Sequence, residues 1–121
     1  MQSKSIRATL RVRIRNQQMT VTLYLPDQAP KVVSEAGFRL DEGSGQVIQN
    51  SARAAEVLGC DPGMIDVLAC GAGYLVYTIF DHEGETNFPA MGVVAEITSI
   101  EFDVLDGDAV LRGPVLVAIQ S

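Results

Sequence analysis

Few side chains in this chain are equipped for covalent or acid–base chemistry. There is one histidine, His82, and there are two cysteines, Cys60 and Cys70, with no tryptophan. Cys70 stands directly before Gly71, Ala72 and Gly73. A thiol at such a turn has backbone donors nearby that can hold an oxyanion, as acyl-transfer chemistry requires. Its general base would have to be His82. The plainer reading makes both cysteines small, reduced, buried hydrophobes, because a separation of ten fits neither a redox nor a zinc Cys-x-x-Cys unit. Asp81, His82, Glu83 and Glu85 form the one cluster of histidine with carboxylates. A metal needs ligands that converge from fixed positions, and one short turn rarely supplies three. An exposed turn is therefore predicted there, with no metal and no other cofactor. No Gly-x-Ser-x-Gly elbow accompanies His82. Neither Gly43-Ser44-Gly45 nor Gly71-Ala72-Gly73 continues into a phosphate-binding or dinucleotide pattern. A small enzyme built on Cys70, His82 and carboxylates such as Asp66 and Glu83, in a pocket completed between subunits, stays open as an alternative.

Binding chemistry has two further candidates. Arg7, Arg11, Arg13 and Arg15 recur on the odd positions of the N-terminal segment. Guanidinium groups in a row match phosphate, so this face could recognise an anionic ligand or nucleic acid. Alternatively it is a solvated strand face, or it pairs with Glu101 and Asp103 on a neighbouring strand. No aromatic residue is interleaved for base stacking, and the chain carries a net charge of −6, so nucleic acid is not the expected partner. The charge is nonetheless polarised. Residues 1–40 hold seven Lys and Arg against two acids, a balance of +5, and residues 41–121 hold two against thirteen, a balance of −11. The other candidate is the apolar stretch 87–92, where Phe88 and Met91 could anchor a protein partner. A loop folded over the core is the competing reading.

These groups must be positioned by elements, and the periodicity names them. Ile6, Ala8, Leu10, Val12 and Ile14 alternate with polar residues, as do Met19, Val21, Leu23 and Leu25. Period two places each apolar set on one face, so a β-hairpin is predicted, ended by Pro26 and Asp27. Residues 31–35 read as a short helix or strand. Residues 38–40 and 46–48 read as short strands around the turn at 41–45. Asn50 or Ser51 can cap a helix that runs to Leu58 and stops at Gly59. Asp61 and Pro62 are a second start signal, with Met64, Ile65 and Leu68 at helical spacing; a strand over 64–70 is the lesser option.

The stretch from Ala55 through Gly59 to Ile65 and Leu68 resembles a bacterial helix-turn-helix, with a small contact residue, a glycine in the turn and apolar positions after it. The resemblance covers about twenty residues and departs where a reading helix would need Arg, Lys, Asn or Gln. It implies a helical hairpin more than a DNA reader.

The last third predicts strands at 74–80, 93–105 and 109–119, with turns at 81–85 and at Asp106-Gly107-Asp108 and a break at Gly113-Pro114. The fold class expected is α+β, mainly antiparallel sheet closed into a small barrel or roll, with an inserted short helical hairpin.

Composition bounds the rest. The chain has 121 residues, 47% hydrophobic and 20% charged, which suits one globular domain over the whole length. No apolar run is long enough for a membrane span, and the N-terminus lacks a signal-peptide core, so a cytoplasmic protein is expected. The predicted function is a small non-catalytic binding or assembly module acting as a homo-oligomer.

Overall fold

The computed structural model describes residues 19–103 and 110–120. The first alternating run and its Arg row, and the turn at 106–108, lie outside the described residues. Five strands form one antiparallel sheet: β1 (Met19–Tyr24), β2 (Lys31–Val33), β3 (Ile65–Gly71), β4 (Tyr74–Ile79) and β5 (Val115–Gln120), in the order β2-β1-β5-β4-β3. Among the described residues two helices accompany it, α1 (Ser51–Leu58) and α2 (Phe88–Thr98). The class is thus α+β. Among the described residues the sheet is open, with β2 and β3 as its outer strands, and is not closed into a barrel.

β5 explains the architecture. Its Val-Leu-Val-Ala run has no alternation because both faces are covered. Leu116 and Ala118 pack with Val21, Leu23, Leu75 and Tyr77 under Ala54 and Leu58 of α1. Val115 and Val117 pack with Val76 under Ala90, Met91 and Val94 of α2. One helix therefore lies on each side of the sheet. Full burial of each Val or Leu here contributes about 1.5–3 kcal/mol. The apolar terminal strand is buried within the sheet and has β1 and β4 hydrogen-bonded on its two edges, so the sheet cannot continue across it into a second copy.

Several local predictions hold. β1 ends where Pro26 and Asp27 stand, and Asp27 takes a left-handed φ of 59°. Residues 31–33 are strand. The strands at 38–40 and 46–48 reduce to the single bridge Leu40–Val47 around the 41–45 turn. α1 is capped as its sequence requires: Asn50 Oδ1 accepts from the Arg53 N–H at 3.1 Å, and Gly59 ends the helix at φ 74°.

Two predictions are corrected. The helical hairpin does not exist, since Asp61 and Pro62 start only a three-residue 3-10 turn (Pro62–Met64), after which the chain is β3. Gly63 is a poor helix former, and Ile65 and Val67 gain a full strand partner in β4. The apparent helical spacing comes from a bulge between Val67 and Ala69. Ile65 and Val67 pack toward α1, whereas Leu68 and Ala69, adjacent in sequence, both pack toward α2. The strand predicted at 93–105 is, over 93–98, the second half of α2; residues 99–103 have no regular structure, and 104–105 lie outside the described residues. Asn87 caps α2 by accepting from the Ala90 N–H, Pro89 sits in its first turn, and Ser99 ends it at φ 64°.

Candidate functional site

β3 and β4 form a hairpin around Ala72 and Gly73, and its open end is where chemistry-bearing side chains gather. Asp66 pairs with Thr78 across the two strands, so both point to the α2 side. Beyond Thr78 the chain passes Ile79 and Phe80 and turns through 81–85. It then meets the approach to β5, where Thr86 bridges Arg112. Between these segments lies a cleft of about 580 Å³ lined by Asp66, Phe80, Asp81, His82, Glu83 and Arg112, with Val110 and Leu111 on its apolar wall. Phe80 is 62% exposed at its lip.

His82 is held firmly in this cleft. Its Nδ1 accepts from the Gly84 N–H at 2.9 Å. The lone pair is thereby engaged, and the neutral ring carries its proton on Nε2. The ring lies against Gly84 and Gly113, and a Cβ on either would run into it. Gly113 also has φ 69°, so its side-chain-free backbone is required twice over. The turn is stitched to the β5 approach by three bonds. The Arg112 guanidinium donates to the Gly84 carbonyl at 3.4 Å, the Gly113 N–H donates to the Glu85 carbonyl at 2.9 Å, and the Asn87 N–H donates to the Leu111 carbonyl at 2.8 Å.

Asn87 completes the frame. It is fully buried, and its Nδ2 donates to the carbonyls of Tyr24 (2.9 Å) and Gly113 (2.8 Å) while its Oδ1 caps α2. The end of β1, the start of β5 and α2 are thus joined through one amide. Sequence reading missed this residue, although Asn two positions before Pro is a helix-start signal. Nearby, the carboxyls of Asp27 and Glu85 meet. The hydrogen bond that protonated Glu85 donates to the Asp27 carboxylate, together with the charge of Asp27, raises the pKa of Glu85.

The sequence candidates fall into separate places. His82, Asp66 and Glu83 line one cleft. Cys70 does not join them. It is exposed and pairs with Leu75 near the closed end of the hairpin, on the α1 side, about five residues or ~17 Å of strand away from Ile65. A Cys70–His82 dyad is therefore not formed, and the Nδ1 of His82 is engaged elsewhere. Burial and the charge of Asp61 push the Cys60 thiol pKa up, which disfavours its thiolate. Among the described residues, no group of three or more His, Cys, Asp or Glu is placed to hold a metal ion. Phe88 is 59% exposed on the first turn of α2, whereas Met91 is 6% exposed and belongs to the core, so the pair does not act as one partner surface. Glu101 and Asp103 are exposed. Arg7, Arg11, Arg13 and Arg15 lie outside the described residues. No helix of the described residues is long and apolar enough to cross a membrane. Compared with protein-family models, with curated proteins and with solved structures, the chain finds no match.

Proposed function

We propose that the protein is a small non-catalytic binding and assembly module that self-associates through the cleft face. The observation that carries this reading is Phe80, 62% exposed at the lip of a cleft whose walls bear both signs of charge. A two-fold interface uses the same patch on both copies, so the patch must complement itself. A protruding aromatic beside a cleft, with Asp66, Asp81 and Glu83 against Arg112, meets that requirement. Exposed aromatics that enter a partner's pocket are the usual anchors of such contacts. The fixed tautomer of His82 also suits binding better than catalysis, because it presents a donor at Nε2 rather than a base at Nδ1. The rigid stitching of the turn to Arg112 and Gly113 pre-organises the face and lowers the cost of association.

Light scattering on untagged protein over a range of concentrations tests this. The expected mass is an integer multiple of 13.0 kDa. Phe80→Ser is expected to weaken association about thirtyfold, corresponding to an anchor worth about 2 kcal/mol. Its thermal midpoint at dilution should stay near that of the wild type, since Phe80 is largely solvated. A wild-type chain that stays single at high concentration, or a Phe80→Ser variant that associates equally well, overturns the reading.

A further inference from the structure

We propose that His82 is a proton-operated latch on the rim of the cleft: as the neutral ring it holds the 81–85 turn closed, and protonation releases the turn. The inference does not rest on self-association.

The argument begins at Gly84, whose two backbone groups are both held by side chains. Its N–H goes to His82 Nδ1 at 2.9 Å, and its carbonyl takes the Arg112 guanidinium at 3.4 Å. An imidazolium has N–H groups at both nitrogens and no acceptor. Protonation at Nδ1 therefore sets a donor against the Gly84 N–H and places a second cation beside Arg112. Neither can be relieved by a small slide, because Gly84 and Gly113 pack against the ring. The charged groups around the ring say where it goes. Asp81 and Glu83 adjoin it in the chain, and Asp66 from β3 and Arg112 from the approach to β5 line the same cleft. Glu85 follows on the same turn and is engaged by Asp27. Thr78 from β4 and Asn87 at the start of α2 carry no charge. The cleft wall thus carries three carboxylates, Asp66, Asp81 and Glu83, toward which a released imidazolium is drawn. Gly84 loses its partner, and the rim of the cleft loosens.

The test is a heteronuclear NMR titration from pH 8 to pH 5, following the Gly84 amide and the His82 ring together. The Gly84 amide should shift with the same midpoint as the ring. Its exchange protection, corrected for the intrinsic pH dependence, should fall about two- to tenfold, the loss expected for one hydrogen bond. In His82→Phe the Gly84 amide should be unprotected throughout and show no such midpoint. In Gly84→Ala, which evicts the ring but keeps the titrating group, the amide of residue 84 should likewise lose the response. Phe80→Ser should keep the wild-type response, which separates the latch from self-association. An amide that stays silent while the ring titrates overturns the proposal. So does an equal response in His82→Phe, or ring carbon shifts that place the proton on Nδ1 at pH 8.

Discussion

Asn87 and the Asp27–Glu85 pair are single-residue devices with opposite demands on their surroundings. Asn87 is buried and fully satisfied, with two donations and one accepted bond. Asn87→Ala removes a helix cap and leaves the Tyr24 and Gly113 carbonyls without their donor. The expected loss is about 2–4 kcal/mol, read from urea denaturation. The carboxyl pair behaves the other way. The pKa of Glu85 is raised, first by the hydrogen bond its carboxylic acid donates to Asp27 and then by the charge of Asp27. A raised carboxyl pKa means that the folded state holds the proton more tightly than the unfolded chain does. The stabilising contribution is therefore complete below the ordinary glutamate range and is lost as pH rises through the raised value. Glu85→Gln should accordingly increase the denaturation midpoint at pH 7 and change it little at pH 4. A loss of stability at pH 7 would show that the two carboxyls do not oppose each other. Asp41 has the reverse sign, since hydrogen bonds from Ser44 lower its pKa and its contribution fades on acidification.

Among the elements, α2 separates packing from recognition within one turn. Met91 lies in the core and Phe88 on the surface. Met91→Ala should cost about 2–4 kcal/mol, whereas Phe88→Ala should stay within about 0.5 kcal/mol in the same denaturation series. Equal costs would mean that the helix is rotated from the orientation described. α2 is also the element that sequence reading misassigned, and the reason is physical. Val93, Val94 and Ile97 favour strands by propensity, and no glycine follows Thr98 to mark a helix end. Burial of Ala90, Met91 and Val94 with partial burial of Ile97 is nonetheless helical spacing, visible once Asn87 is recognised as a cap. β3 failed for a different reason, because its bulge at Leu68 breaks the alternation by which a strand is recognised. β1, β4 and β5 were legible, since a half-buried strand alternates and a doubly covered strand runs apolar without interruption. α1 was legible through its caps. The cleft was partly legible. Its His82, Asp66 and Glu83 were singled out, but the glycine seat at Gly84 and Gly113 depends on segments about thirty residues apart in the chain, and one sequence carries no sign of that meeting.

The whole molecule couples an antiparallel sheet covered on both faces to a polar cleft at one end of its outer hairpin. With β5 enclosed between β1 and β4, the proposed association would have to use other surfaces, and Phe80 is the largest apolar group standing at the cleft. The dipolar rim suits a self-complementary contact, and the acidic excess of residues 41–121 makes attraction between copies dependent on local pairing rather than on net charge. The most direct test is a native mass spectrum of the untagged protein at near-physiological ionic strength, recorded beside Phe80→Ser. The account predicts an integer multiple of 13.0 kDa for the wild type and the single-chain mass for the variant. A bare single chain in the wild type, or an unchanged multiple in Phe80→Ser, would contradict it.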